Sequence, residues 1–222
     1  MTMFELDHLF LWASVGGLEA DRLVAFGLTE GEPNTHPGQG TACRRFFFRN
    51  AYLEVLWVHD PIETQAEVRP TGLWPRWCGR LTGTSPFGLC LRPARPGGGE
   101  VPFPAWEYRP PYLPAPLVIH VGQGVPASEP WWFYLSFGRR PDDAGWPRSQ
   151  PLDHPVGFRE VTAVRLTGPG LANLSEVARE VTGAWTVTLA NATESLAEVT
   201  FDGGGQGQEA DFRPLLPLMF RW

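Results

Sequence analysis

Three polar side chains lie in short apolar runs of the chain that are typical of buried β-strands. These residues are His8, Glu54 and His120. A carboxylate or an imidazole is costly to bury unless it is paired, hydrogen-bonded or bound to a metal. Two histidines and one carboxylate form the ligand set of non-haem Fe(II) and related ions that keep open coordination positions. The pattern therefore indicates one candidate metal site, and the alternative is that strand alternation turns some of these side chains to solvent.

The N-terminal elements follow the order strand, helix and further strands. The run Phe4–Trp12 is mostly apolar and predicts a strand, and the apolar positions after it have helical spacing up to Gly27. Two further strand-like runs, at 41–49 and 51–59, are separated by a single residue, which predicts a tight hairpin. The order becomes β-α-β-β-β if a short strand forms at 27–32.

The C-terminal part of the chain shows a similar order. Residues 158–166 predict a strand, an apolar stripe from Leu171 to Val181 predicts a helix, and strand-like runs follow. Aligning the two ends at their helices places Val161 on His8. The repeat is weak residue by residue and consistent in the order of its elements.

The middle of the chain is rich in proline and glycine, which excludes a long helix there. It predicts strands at 86–91, 117–122 and 131–137, and one helical turn near 64–68. We therefore predict an α+β chain in three segments that form one domain: a β-α-β-β-β module at 1–60, a connector with middle strands at 61–157, and a second β-α-β-β-β module at 158–222.

The composition excludes several classes of protein. All 18 basic residues are arginine, so lysine Schiff-base chemistry and a Walker-type phosphate loop are absent. The net charge is −6 and no arginine run exceeds two residues, so we expect no nucleic-acid partner. Three cysteines without CxxC spacing fit a reducing cytoplasm. No apolar run approaches the roughly 20 residues of a membrane span and the first residues are acidic, so we expect a soluble, cytoplasmic protein without a membrane partner.

These motifs together resemble the vicinal oxygen chelate superfamily, which includes glyoxalase I, extradiol dioxygenases and bleomycin-resistance proteins. The likeness is closest to its uncharacterised glyoxalase-like branch. The segments that carry it are Leu6-Asp-His-Leu9, His36-Pro-Gly-Gln-Gly-Thr41, Tyr52-Leu-Glu54, Pro116-Leu-Val-Ile-His120 and His154-Pro-Val-Gly157.

The resemblance implies modules that curl into a mixed half-barrel around a central pocket. It also implies a divalent metal (Fe, Mn, Ni or Zn) held by the first and fourth strands of each module. His8 and Glu54 match the first pair of ligands, whereas Val161 replaces the histidine in the last module and Glu198 stands in the place of Glu54. The third ligand is therefore His120 or Glu198, and we favour His120 because Glu198 can point outward from an edge strand.

Two neighbouring oxygens of the substrate would chelate a metal in such a site. The metal would then stabilise charge on an enolate, an ene-diolate or a catecholate. A catalytic base would also be needed. Glu198 could serve if it is not a ligand, and so could His36 on its glycine-rich turn. The alternative for His36 is a turn residue that bonds the local backbone.

Aromatic residues and one arginine complete the expected pocket. Trp12, Trp57 and Trp106 are candidates for its apolar walls. Strand alternation sends either Arg44 or Arg45 inward, and Arg44 is our candidate for fixing a carboxylate of the substrate. A salt bridge to Glu54 or Asp7 would explain such an arginine equally well.

The sequence thus predicts a metal-dependent lyase, isomerase or dioxygenase that acts on a small molecule with vicinal oxygens. The alternative is a metal-free protein of the same fold that sequesters a small molecule, as the resistance proteins of the superfamily do, and the substitution at Val161 favours it. A structural role with a partner-facing middle segment leaves the burial of Glu54 unexplained. A homodimer, in which two chains complete one barrel, stays open.

Overall fold

Strands make up most of the regular structure in the computed structural model, which describes residues 3–66, 71–95, 97, 100–145, 149–184 and 187–222. The strands are Phe4–Trp12 (β1), Asn34–His36 (β2), Thr41–Phe47 (β3), Tyr52–Val58 (β4), Phe87–Pro93 (β5), Ala105–Tyr108 (β6), Ile119–Gly122 (β7), Trp131–Tyr134 (β8), Val161–Gly168 (β9), Val187–Asn191 (β10), Leu196–Phe201 (β11), Glu209–Asp211 (β12) and Leu218–Arg221 (β13). The helices are Asp21–Phe26 (α1), Pro61–Gln65 (α2), Leu73–Gly79 (α3) and Glu176–Ala184 (α4). The predicted α+β class is confirmed.

Several local predictions agree with these elements. The first strand has the predicted bounds, and α1 ends at Gly27, whose φ of 113° is in the left-handed region that favours glycine. Helix α4 begins at Glu176, later than the apolar stripe suggested. The predicted turn at 64–68 overlaps α2, and its last two residues lie outside the described part of the chain. None of the helices in the described ranges has the length and apolar character needed to cross a bilayer.

The larger sheet has eight strands in the order β2-β3-β4-β1-β5-β8-β7-β6 and curls into the expected mixed half-barrel. In its first half, β1 pairs parallel with β4, and the pairs β4/β3 and β3/β2 are antiparallel. The second half repeats this pattern, with β5 parallel to β8 and antiparallel pairs β8/β7 and β7/β6. The antiparallel pair β1/β5 joins the two halves.

The second copy of the N-terminal pairing pattern therefore lies in the middle of the chain. Its first two strands, β5 and β6, are linked through a proline- and glycine-rich stretch, so the helix that marks the first copy in the sequence is not signalled there. The C-terminal sheet has the order β10-β9-β11-β13-β12, and Glu198 lies on β11, which is antiparallel to β9. Glu54 lies on a strand parallel to β1, so Glu54 and Glu198 differ in the direction of their strand pairing. The division at 1–60, 61–157 and 158–222 stays a prediction.

Strand alternation gives the curled sheet two different faces. One face, which carries Leu9 and Leu53, packs against Val164 and Val199 of the C-terminal sheet. Each of these buried side chains contributes roughly 1.5–3 kcal/mol to folding, so the two sheets stabilise one another. The opposite face, called the inner face below, is lined by a second apolar cluster that includes Phe10.

Helix α3 and the loop 109–118 cover the inner face. Leu73 of α3 and Tyr112 of the loop both reach the space above the sheet. Arg76 is buried in α3 and donates hydrogen bonds to three carbonyl groups of the 126–129 loop. Burial lowers the pKa of Arg76 to about 10, so the guanidinium stays charged at neutral pH and holds the helix in place.

His154 joins two distant parts of the first module. Its Nδ1 accepts a hydrogen bond from the backbone N–H of Thr29 at 2.9 Å, and its Nε2 lies 2.9 Å from the carbonyl oxygen of Phe47. The proton therefore sits on Nε2, because a carbonyl oxygen only accepts. Burial lowers the pKa of His154. In addition, a proton on Nδ1 would face the backbone N–H of Thr29, so that two donors would meet.

This geometry predicts an acid-sensitive stability. The unfolded chain takes up a proton on His154 below about pH 6.5 while the folded chain resists it, so the free energy of unfolding falls as the pH drops. We expect His154 to contribute up to about 1.4 kcal/mol per pH unit between pH 6.5 and 5.5. Urea unfolding across this range measures the slope. His154→Gln, which offers both an acceptor and a donor without titrating, should flatten it, and an unchanged slope would contradict the assignment.

Candidate functional site

A cavity of about 160 Å³ lies on the inner face of the curled sheet. An apolar cavity of about 150 Å³ in another protein core admits benzene, so this one has the size of a single ring. Its apolar wall is formed by Phe10, Leu56, Leu73, Leu113, Ile119, Trp131, Phe133, Leu135 and Phe137. Its polar groups come from His8, Asn34, His36, Gln39, Tyr52, Glu54 and Tyr112. An apolar cavity with a few convergent polar groups is typical of a small-molecule site.

His8 lies between two carboxylates. Its Nδ1 is 2.7 Å from Oδ1 of Asp7, and its Nε2 is 3.8 Å from Oε2 of Glu54. Adjacent strand residues normally point to opposite faces, but the register of β1 against β5 shifts between Leu6 and His8. This irregularity re-aims the side chain of Asp7, so that its carboxylate meets the ring of its own neighbour.

The orientation of the His8 ring is fixed on several sides. Its ring stacks on Tyr52 at a centroid distance of 4.4 Å and meets the edge of Phe133 at 5.2 Å. Because the Asp7 carboxylate accepts at Nδ1, the lone pair of a neutral His8 lies on Nε2 and faces Glu54. A lone pair that faces a carboxylate is repulsive, so this arrangement favours a cation between the two groups.

The acids around His8 outnumber the guanidinium groups that pair with them. Asp7 and Glu54 are 4% and 5% exposed. The nearby guanidinium of Arg92 lies 3.8 Å from Asp7 and also pairs with Glu5 at 2.9 Å. Arg92 thus serves Asp7 and Glu5, whereas Glu54 has no guanidinium within ion-pair distance in the described part of the chain. A proton on His8 or a bound cation would compensate the excess negative charge.

Cys90 is a further donor beside His8. One ligand atom from each of Asp7, His8 and Cys90 can be chosen so that all three lie within 4.8 Å of one another. Burial raises the pKa of the Cys90 thiol, and the charges of Asp7 and Glu54 raise it further. The thiol therefore stays protonated, although a bound cation would favour the thiolate.

Cys43 approaches the site from the neighbouring strand. Its Sγ lies 3.5 Å from Oε1 of Glu54 and donates to it. Burial also raises the pKa of the Cys43 thiol, and the charge of Glu54 adds to the shift. Sequence reasoning missed Asp7, Cys43 and Cys90 as site residues. The one available signal was the position of Asp7 directly before His8.

The predicted ligands and bases are only partly brought together. His8, Glu54 and His36 all line the cavity. His120 lies opposite Tyr134 in the β7/β8 register, half-buried on the face of the sheet opposite the cavity, so it does not reach His8 or Glu54. Glu198 lies on the C-terminal sheet, where Arg165 and Arg221 bind its carboxylate at 2.7 and 3.0 Å.

The second half of the curled sheet, strands β5–β8, places apolar residues on the inner face, where the first half places His8 and Glu54. Superposing the two halves so that Leu9 falls on Leu89, one pair from the middle of the β1/β5 register, relates His8 to Gly88. The parallel pairs β1/β4 and β5/β8 then relate Glu54 to Phe133. The ring of Phe10 covers Gly88 so closely that a Cβ there would lie 2.1 Å from a ring carbon. This half of the site offers an aromatic surface in place of metal ligands.

His36 belongs to a hydrogen-bonded polar wall on the far side of the cavity. Its Nδ1 lies 2.9 Å from the hydroxyl of Thr41, and its Nε2 lies 2.9 Å from the side-chain nitrogen of Asn34. Burial lowers the pKa of His36, and the charge of Glu54 only partly opposes this effect. His36 is therefore a neutral ring with both nitrogens engaged by side chains, whereas the alternative raised from sequence was a bond to the local backbone.

The four predicted pocket residues Trp12, Arg44, Trp57 and Trp106 line no part of this cavity. Arg44 faces away from it and binds Glu30 at 2.6 Å and Asp21 at 2.6 Å. Trp57 packs beside Gly17 on the same side. Trp12 is buried against Phe10, and Trp106 lies on the edge strand β6. Trp131 and Tyr52 line the cavity instead.

Comparison with known proteins supports the resemblance drawn from the motifs. Residues 6–105 match the family model described as a glyoxalase-like domain. The fold is similar to that of a hypothetical protein from Staphylococcus aureus, known from a crystal structure, with a TM-score of 0.54 and 10% identity over 98% of this chain and 99% of that one. At this identity the likeness concerns the fold alone. No curated protein matches the chain significantly.

Proposed function

Because residues 6–105 form a glyoxalase-like domain of the vicinal oxygen chelate superfamily, we propose that this chain binds a small molecule with vicinal oxygens and acts on it with a divalent cation. The reaction class is that of a lyase, an isomerase or a dioxygenase. The observation that supports it is the buried pair of His8 and Glu54, with Nε2 and Oε2 3.8 Å apart at the wall of a ring-sized cavity.

The donor set of His8 and Glu54 fits a cation such as Fe, Mn, Ni or Zn. Two ligands that each lie about 2.0–2.2 Å from one ion are roughly 3–4 Å apart. Asp7 holds the His8 ring through Nδ1, as carboxylates behind metal-binding histidines commonly do. Cys90 forms a donor cluster with Asp7 and His8, and that cluster does not include Glu54. When bound, the cation would act as a Lewis acid toward two neighbouring oxygens of the substrate.

The remaining residues of the cavity bind and orient the substrate. Phe10, Trp131 and Phe133 offer flat apolar surfaces that suit a planar molecule and exclude water. Burial raises the pKa of the Tyr52 hydroxyl, and the charges of Asp7 and Glu54 add to this, so the hydroxyl remains a donor. His36, held neutral, keeps the opposite wall polar without adding charge.

Cation binding tests this proposal directly. Chelator-treated protein should gain unfolding temperature on addition of Mn(II), Fe(II), Ni(II) or Zn(II). A cation at 100 times its dissociation constant adds about 2.7 kcal/mol, which is a rise of roughly 5–10 °C for a chain of this size. Differential scanning fluorimetry measures the shift, and isothermal titration calorimetry gives the stoichiometry. His8→Ala should remove it, whereas His120→Ala should keep it, because His120 lies on the other face. Absence of any shift with all four ions would overturn the cation-dependent function.

A second function is favoured by the apolar half of the site. The second half of the curled sheet contributes Trp131 and Phe133 to the cavity wall, which fits a protein that binds its ligand without a metal. In that case Trp131→Ala should weaken binding of a ring-sized ligand in chelator-treated protein while His8→Ala leaves it nearly unchanged. The reverse order of effects would favour the cation-dependent function. Both copies of the module lie in one chain, and homodimer formation stays a prediction.

A further inference from the structure

The ring-sized cavity adjoins a larger open cleft of about 770 Å³. Tyr52 and Phe137 line both spaces, so they stand at the passage between them. We propose that this outer cleft binds an anionic group, a carboxylate or a phosphate, on the same small molecule whose ring occupies the cavity. The inference rests on the proposed function and adds the class of substrate, a planar acid with its charged group at one end.

Arg45 is the first residue that supports an anion site. It lies on β3 opposite Glu54, on the inner face, and it lines the outer cleft. Its Nε donates to the carbonyl oxygen of Glu32 at 2.8 Å, and its guanidinium lies 5.1 Å from the centroid of the Phe47 ring. Within the described ranges, its two terminal nitrogens have no ion-pair or hydrogen-bond partner. The guanidinium is thus oriented in advance, and its planar fork suits carboxylate or phosphate oxygens.

Arg139 adds a second positive charge to the same cleft. It is exposed and makes no ion pair with any residue that the structure describes. The neighbouring Arg140 differs, because Asp142 and Glu160 bind it at 2.9 and 2.7 Å. Two acids, Glu32 and Asp143, also line the cleft, and neither pairs with Arg45 or Arg139 in the described part of the chain. Arg45 and Arg139 are therefore the two guanidinium groups of this cleft that are available to an anion.

A row of rings connects this surface to the centre of the site. The centroid of His8 is 4.4 Å from that of Tyr52, and Tyr52 is 4.9 Å from Phe47, over which Arg45 lies. A planar molecule can therefore point its oxygens at His8 and Glu54 while its acidic group meets Arg45.

Three probes separate the parts of this inference. Catechol carries vicinal oxygens without a charge, benzoate carries a carboxylate, and phenyl phosphate carries a phosphate. Calorimetric titration of chelator-treated protein at low salt should show binding of at least one of the two anions. The anion that binds identifies the acidic group. Its dissociation constant should rise at least tenfold in Arg45→Gln and at least threefold in Arg139→Gln.

Arg22→Gln is the matched control, because it removes the same charge from the exposed surface of α1. Arg22→Gln should leave the dissociation constant of the anion unchanged. The unfolding temperature of Arg45→Gln should lie within about 2 °C of that of the parent chain, as expected for a side chain without an ion-pair partner. Failure of both anions to bind, or equal binding by Arg45→Gln and the parent chain, would overturn the anion site. Catechol titrated with Mn(II) reports on the proposed function separately, so that each can fail without the other.

Discussion

Glu54→Gln should abolish cation binding and leave the cation-free protein at least as stable as the parent chain. The glutamine keeps the size of the side chain and removes the anionic ligand, so the dissociation constant for Mn(II) or Zn(II) should rise at least 100-fold. Removing a buried carboxylate that no described arginine pairs with relieves buried negative charge. The amide can also accept from Cys43 and donate to Nε2 of His8.

The change in stability is measured by the unfolding temperature in the presence of a chelator. We expect a rise of about 2–6 °C, which corresponds to roughly 1–2 kcal/mol for a chain of this size. A rise in the unfolding temperature would show that Glu54 is retained for function at a cost in stability. A fall in the unfolding temperature would instead identify Glu54 as the partner of a protonated His8 in a structural ion pair.

Glu198→Gln is the control, because Glu198 is also a buried glutamate on a strand. Two arginines, Arg165 and Arg221, bind its carboxylate, so its charge is compensated. The substitution should lower the unfolding temperature through lost charge-assisted hydrogen bonds. It should leave the cation-induced shift unchanged, and loss of that shift would reinstate Glu198 as a ligand.

Gly40→Ala should destabilise the protein strongly, although it adds only one methyl group. Gly40 has a φ of +75°, and a Cβ there would lie 2.3 Å from both the carbonyl oxygen of Asp60 and the hydroxyl of Thr64. The backbone strain costs about 1 kcal/mol, and the contact with backbone atoms adds more. We expect a loss of at least about 3 kcal/mol, or roughly 6–12 °C in unfolding temperature.

Gly203→Ala separates the two causes of this loss. Gly203 has a φ of +76°, and no atom lies within 4 Å of the Cβ position. The substitution therefore carries the backbone strain alone and should cost about 1 kcal/mol. Urea unfolding of both variants measures the difference. Equal losses would show that the contacts of Gly40 with the 60–64 segment do not fix the turn beside His36.

The arrangement of the second module could not be read from the sequence. The first half of the curled sheet is recognisable by the helical spacing of apolar residues after β1, and the proline and glycine residues after β5 remove that spacing from the second half. Helix α4 has such spacing, but it follows β9 of the C-terminal sheet. Strand pairing joins residues far apart in the chain, so the β5/β8 pair leaves no local pattern. The apparent repeat therefore led to Val161 and Glu198, whereas the pairing pattern of β1–β4 is repeated by β5–β8 of the same sheet.

The sequence by itself determined the local elements and the family resemblance. Apolar runs defined β1 and the β3–β4 hairpin, Gly27 ended α1, and the motifs around His8 and Glu54 indicated the glyoxalase-like domain. These features depend on neighbours in the chain. They also allowed His8 and Glu54 to be assigned to one site, because both lie in apolar runs where a charge is costly.

The tertiary structure decided which way each side chain points and what it meets. Alternation has a period of two, so a difference of one residue moves a side chain to the other face, as with His120 and the pair Arg44 and Arg45. A register shift in β1 turned Asp7 toward His8, and a distant strand brought Cys90 beside them. Both effects arise from pairing between strands, and the free energy of that pairing is set by the whole sheet rather than by any short stretch of sequence.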